Sequence, residues 1–323
     1  MRVLAVGNRD PFTVTGGYER IFRSVVERLR AEGHSVEVAT ADGAFRWYWR
    51  DGDFFTPSWK ERREIERHNA DLMASLLAER FDVVSWWGMG GMSLGMVEQV
   101  RRAGVPAVGV VADGWMIYGP QVDRPVALGP CAHWIFISAA VRDRALQEGY
   151  VFPSSSMAHP GVDPAEFPRA PERAWEGRLA YVGRVSPEKG VDTARAAAEL
   201  LGAELAICAT GDPYLAYAKA DAVLFPSEWP EPWGLVPLEA MSVGRPVIAT
   251  GTGGSGEYLA DGENCLLFPP GDAAALADRV RRLAGDPALR ARLRRGGFAT
   301  AARYPAEAFE RAVVDVLASA AGR

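Results

Sequence analysis

Ser227-Glu228-Trp229-Pro230-Glu231-Pro232-Trp233-Gly234-Leu235-Val236-Pro237-Leu238-Glu239-Ala240-Met241-Ser242-Val243-Gly244 is the stretch on which the reading of this chain turns. The apolar run 222–225 ahead of it reads as a buried strand, and a helix is expected from about Leu235. Pro237 suits the first turn of that helix, where its missing N–H is not needed. Gly234 lets a ligand come close to the free N–H groups of the helix start, which makes an anion site backed by the helix dipole. Glu231 in the loop and Glu239 about one turn into the helix bring two carboxylates to the same turn. A carboxylate beside a phosphate is repelled unless something lies between them. A sugar or ribose diol is what an acceptor-only carboxylate can hold. The plainer alternative leaves Glu239 as a dipole-compensating residue and Glu231 solvated.

Outward from this stretch, short apolar runs alternate with helical patterns along nearly the whole chain, the signature of βα units and parallel sheets. Strands are expected near 3–6, 35–39, 83–85, 107–111 and 134–137, with helices near 18–32, 58–80, 93–103 and 139–149. A second series of strands runs near 179–183, 205–209, 222–225, 246–249 and 265–268. The proline-dense segment 159–171 between the two series reads as a linker. Two doubly wound α/β domains would take a ligand in the cleft between the carboxyl ends of their strands.

Size and composition agree. At 323 residues, with 48% hydrophobic and 24% charged residues, the chain is an ordinary globular protein long enough for two domains. A net charge of −5 argues against a nucleic-acid binder that works by neutralising phosphates, while leaving room for a local basic pocket. Lysine occurs only at Lys60, Lys189 and Lys219, with arginine supplying the other cations. Cys131, Cys208 and Cys265 are widely spaced in apolar stretches and read as buried free thiols. The chain opens on a strand, and no run approaches 18 apolar residues, so the expectation is a cytoplasmic protein without a membrane span.

Several other groups could carry chemistry. Gly16-Gly17, after the first strand, would let backbone approach a phosphate or sugar, although it is not a dinucleotide fingerprint; Asp42 therefore does not read as a nicotinamide-ribose acid. Asp51-Gly52-Asp53 imitates a D-x-D metal clamp but lies in the aromatic segment 45–59, and reads as a polar turn. Those aromatics are either core or a wall for an acceptor. His34, His68, His133 and His159 lack metal-ligand spacing, and no metal is expected.

The spacing of Glu231 and Glu239 within Glu-Pro-Trp-Gly-Leu-Val-Pro-Leu-Glu-Ala-Met resembles the E-x7-E motif of glycosyltransferase family 4. Tyr181 through Gly190 is similar to the family's donor-phosphate segment, with Arg184 and Lys189, and the stretches 251–257 and 264–272 resemble the elements that follow the motif. Gly16-Gly17 and the stretch 159–163 also match in place, so the similarity covers almost the whole chain. The resemblance implies the GT-B arrangement, two Rossmann-like domains facing across a cleft. Their expected bounds are 1–165 for the acceptor side and 166–303 for the nucleotide-sugar donor side, with 304–323 a final helix crossing back to the first domain. It further implies a retaining, metal-independent transfer of a sugar from a nucleoside diphosphate to a hydroxylated acceptor, without a cofactor. Arg184 and Lys189 would hold the diphosphate, where charge grows on departure. Glu231 would hold the sugar hydroxyls and Glu239 the ribose. Trp233, Gly234, Leu235 and Val236, with Gly16 and Gly17, complete the expected donor contacts.

Asp113, after the strand 107–111, is the acid or base candidate on the acceptor side; a capping role is the alternative. Family members commonly carry a histidine before this aspartate, and here Ala112 stands in its place. A sugar-nucleotide epimerase on the same fold, or a nucleotide-sugar binding protein that has lost catalysis, are the competing readings. Compared with the members of the family it resembles, the second domain is short by about one strand-helix unit between Asp212 and Ala220. In the order 3-2-1-4-5-6 the strand lost is the third, at the edge. The strand 205–209 would then be the new edge, open to pairing with a second subunit in a homodimer.

Overall fold

The computed structural model describes residues 1–13, 16–50, 53–117 and 127–322. The chain forms two compact units, Met1–His159 with Glu310–Arg323, and Pro160–Phe309.

In the first unit, six parallel strands lie in the order β2-β1-β5-β6-β7-β8. They are β1 (Arg2–Gly7), β2 (Ser35–Thr40), β5 (Val83–Trp86), β6 (Ala107–Val111), β7 (His133–Phe136) and β8 (Ser155–Met157). β5 and β6 are buried along their whole length, which is why they read as unbroken apolar runs, whereas edge strand β2 is half-buried. β8 has no such signal because it is a polar edge strand, and its Ser156 and the preceding Ser154 hold the two ring nitrogens of His133 at 2.8 and 2.7 Å. Burial lowers the pKa of that imidazole.

The aromatic segment is not irregular. β3 (Trp49–Arg50) and β4 (Asp53–Phe54) form an antiparallel hairpin. Phe45 and Tyr48 are buried, while Trp47, Trp49, Phe54 and Phe55 are half-buried, so the segment is partly core. Asp53 is exposed, and Asp51 and Gly52 lie outside the described residues. The last helix, Ala306–Ala320, buries Phe309, Val313, Val314 and Leu317 at helical spacing, and its Glu310 comes 3.9 Å from Arg28.

The second unit holds a five-stranded parallel sheet in the order β10-β9-β11-β12-β13. These are β9 (Leu179–Val182), β10 (Leu205–Cys208), β11 (Ala222–Phe225), β12 (Val247–Ala249) and β13 (Cys265–Leu267). This is the expected order with its third strand absent. The short helix Pro213–Lys219, started by Asp212 accepting from the Tyr214 N–H, leads from β10 back to β11. β10 is therefore the edge, with Ile207 36% exposed. For the same reason Cys208 is half-buried rather than buried, unlike Cys131 and Cys265. The core packs Leu179, Tyr181, Leu224, Ile248 and Leu266 against helical Ala194, Leu276 and Leu283. The helix Leu235–Val243 has every residue from Pro237 onward buried.

Candidate functional site

In the second unit the motif stretch folds as expected at its core. β11 ends at Phe225, the chain turns through a loop, and the helix Leu235–Val243 starts at Gly234, whose φ of 87° only glycine adopts readily. No side chain caps this start, and its first turn carries no acid, so its leading N–H groups keep their anion-binding character. Leu235 and Val236 are half-exposed there. Tyr258, a residue without a signal in the sequence, donates its hydroxyl to the Gly234 carbonyl and fixes the turn from behind. Burial raises the pKa of that phenol well above its ordinary value, so it stays a donor.

Glu231 is buried, contrary to the solvated alternative, at 4% exposure. Its Oε1 accepts from Lys189 Nζ at 2.6 Å and from Ser227 Oγ at 2.6 Å. Oε2 carries neither bond. Two glycines make this convergence possible. Gly190 has φ 67°, and a Cβ there would lie 1.9 Å from the Pro226 carbonyl oxygen; this close approach seats Lys189 against the loop. Gly253 has φ 60°, and a Cβ there would lie 2.4 Å from the Glu231 carbonyl oxygen, which in turn accepts from the Gly254 N–H at 2.7 Å. The ammonium of Lys189 also lies 4.9 Å from the ring centre of Trp229, whose indole N–H is buried without a hydrogen-bond partner among the described residues.

Glu239 is 2% exposed, and its Oε2 accepts from the Tyr217 hydroxyl at 2.7 Å. Tyr217 comes from the short helix that connects β10 to β11, and the buried Arg245 holds that helix by donating to the carbonyls of Tyr217 and Ala218. Arg184 behaves differently from Lys189. Its side chain is 71% exposed, and it lies 3.7 Å from Glu188. Glu188 is itself held below the usual carboxylate range, first by the nearby Ser186 hydroxyl. Trp233 is turned inward, its Nε1 donating to the Pro160 carbonyl at 2.8 Å and its ring packed on Tyr258 and Tyr304, so its side chain supports the loop.

In the first unit, Gly16 precedes the helix Gly17–Ala31 without a side-chain cap bond. The Glu19 carboxylate covers this start closely enough that a Cβ on Gly16 would lie 2.1 Å from its Oε2. Glu19 thus already supplies the negative charge that this helix end attracts. Asp113 follows β6 and accepts from the Trp115 N–H at 2.9 Å, so it does cap a turn. Each histidine bonds a structural partner, His34 the amino terminus, His68 the Ala44 carbonyl, and His159 the Ile137 carbonyl.

Residues 205–299 match the family described as glycosyl transferases group 1. The chain is 34% identical over 163 residues to the glycogen synthase of Mycobacterium tuberculosis H37Rv, covering 40% of this chain and 39% of that one. It is 41% identical over 98 residues to the D-inositol 3-phosphate glycosyltransferase of Frankia alni, covering 30% and 24%. The matched part thus spans about two fifths or less of these relatives' length. In three dimensions the chain is similar to Anabaena HepE, solved in complex with UDP-glucose, with a TM-score of 0.73 over 99% of this chain and 100% of that one at 18% identity. That likeness establishes the fold class, α/β with two parallel sheets of the GT-B type.

Proposed function

We propose that this chain, whose residues 205–299 match the glycosyl transferases group 1, moves a sugar from a nucleoside diphosphate to a hydroxylated acceptor with retention and without a metal. The observation that carries this reading is the buried carboxylate of Glu231, gripped through one oxygen by Lys189 and Ser227 beside an uncapped helix start. An ammonium has three donors. Lys189 spends one on Glu231, which leaves two for diphosphate oxygens while the N–H groups after Gly234 meet the same charge. Glu231 Oε2 then accepts from the sugar hydroxyls. Glu239 accepts from the ribose, and Arg184, exposed and weakly paired, swings onto the diphosphate as charge grows there. Asp113 serves the acceptor side, and the backbone of the Gly16-Gly17 turn adds to the donor contacts. The leaving phosphate oxygen takes the acceptor's proton on the face it departs from, and no covalent nucleophile is invoked. The Anabaena HepE complex with UDP-glucose suggests a uridine nucleotide as the first donor to try.

The test is a pair of variants read by turnover of the sugar nucleotide and by affinity for UDP alone. Glu231→Ala lowers turnover with little effect on UDP binding, whereas Glu239→Ala weakens both. The opposite pattern exchanges their roles, and no effect in either overturns the reading. Incubation of the donor alone separates transfer from epimerisation, since an epimerase converts it without an acceptor. Turnover persists in excess chelator, because side chains and a helix start meet the diphosphate charge. Loss on chelation with rescue by manganese or magnesium contradicts metal independence.

A further inference from the structure

The helix Trp59–Ala78 opens with a charge pattern that its own folding does not account for. Lys60, Arg63 and Arg67 recur at i, i+3 and i+7 and therefore share one stripe. Arg63 and Arg67 are a like-charged i,i+4 pair, and Lys60 sits in the first turn, where the helix dipole disfavours a cation. None of the three forms an ion pair among the described residues. The nearby acids are used elsewhere or stand apart: Glu61 accepts from the N–H and hydroxyl of Ser58 and pairs with Arg50. Glu66 accepts from Ser93 at 2.9 Å and from the Tyr48 hydroxyl. Glu64 is exposed and reaches none of the three cations.

The same residues line a groove of about 660 Å³ whose other wall includes Met96 and Gln99 of the helix Gly95–Arg102, a size suited to a small molecule. Its place in the topology matters. The first helix follows the hairpin after the carboxyl end of β2, and the second follows the carboxyl end of β5, so both start at the end where doubly wound sheets take ligands. Asp113, after β6, lies at that end too.

We propose that this groove binds a small phosphorylated acceptor, with the phosphate dianion on Lys60, Arg63 and Arg67. The guanidinium forks suit phosphate oxygens, and an anion there relieves the repulsion within the stripe. The acceptor assignment rests on the glycosyl-transfer reading; the phosphate site does not.

Calorimetry with glucose 6-phosphate as probe tests the site, with glucose as the neutral control and UDP as the control for the second unit. Glucose 6-phosphate binds at least tenfold more tightly than glucose, and the preference falls with added salt. The triple variant Lys60→Ala, Arg63→Ala, Arg67→Ala loses tenfold or more in affinity for glucose 6-phosphate and keeps its affinity for UDP. Its Tm stays level or rises, which a structural role for these cations would not allow. The single variant Arg67→Gln, at an exposed position, shows a smaller loss in the same direction. Equal binding of glucose and glucose 6-phosphate, or variants within twofold of the parent, overturns the proposal. So does co-sedimentation with vesicles rich in anionic phospholipid when glucose 6-phosphate fails to bind. Absence of UDP binding by the parent protein counts against the glycosyl-transfer reading and leaves the phosphate result standing.

Discussion

Lys189 and Glu231 form a contact in which each side chain depends on the other. With 20% and 5% of their side chains exposed, neither charge is well hydrated, and removing one strands the other. Lys189→Ala is therefore expected to cost about 2 to 3 kcal/mol of stability, below the fully buried range of about 3 to 5 because the lysine keeps some water. A urea titration measures this; a loss under about 0.5 kcal/mol contradicts the reading of the pair as buried. Gly190→Ala tests the same site through the backbone. The added methyl meets the Pro226 carbonyl oxygen at a φ of 67°, so destabilisation of about 1 to 3 kcal/mol is expected, with a loss of turnover as Lys189 shifts. A variant as stable and active as the parent shows that the loop yields without moving the lysine.

At the scale of elements, the second sheet ends at β10 because the third strand of the six-strand order is absent. The sheet tolerates this loss because an edge strand has one neighbour, whereas loss of β9 or β11 would divide it. The helix Pro213–Lys219 connects β10 directly to β11, and its Tyr217 reaches Glu239, so the short segment still contributes to the candidate site. In the family that this chain resembles, the missing segment helps line the pocket for the nucleoside base. On the proposed function, base recognition here is expected to rest on fewer contacts, and UDP and GDP to bind within about tenfold of each other, roughly 1.4 kcal/mol or less. Calorimetry with both nucleotides checks this. A thousandfold preference shows that other residues rebuild a discriminating base pocket.

Across the whole molecule, burial raises several groups that are neutral when protonated. It pushes the Cys265 thiol up to about 12 from 9.0, the Cys131 thiol up to about 11, and, with Glu231 and Glu188 adding to it, the Tyr181 phenol up to about 12 from 10.0. Above about pH 9 the unfolded chain releases these protons while the folded chain keeps them, so folding is opposed increasingly as pH rises toward about 12. The urea midpoint is accordingly expected to be level from about pH 7 to 8 and to fall from about pH 9 upward. Cys265→Ala reduces the alkaline slope. A midpoint that stays level to about pH 11 contradicts this account.

The alternation of apolar runs and helical patterns, the glycine at Gly234 and the spacing of Glu231 and Glu239 are local features, and the sequence by itself determined two parallel α/β units and one glycine-led helix start from them. The absent edge strand was legible only through the family resemblance, as a shortfall of residues between Asp212 and Ala220 relative to family members. β8 was not, since a polar edge strand has no buried face to impose a period. Nor was the hairpin at Trp49–Arg50 and Asp53–Phe54, whose two-residue strands are too short to show one. Only the tertiary structure decided which partners meet. Lys189 and Glu231 are 42 positions apart, and Tyr217 and Glu239 are 22. Both pairs depend on how strands and loops pack, at approaches such as Gly190 on Pro226 and Gly253 on Glu231, where a missing side chain lets one backbone touch another. The unpaired stripe on the helix Trp59–Ala78 is visible in the sequence as charges, but its meaning depends on a groove that two helices form together.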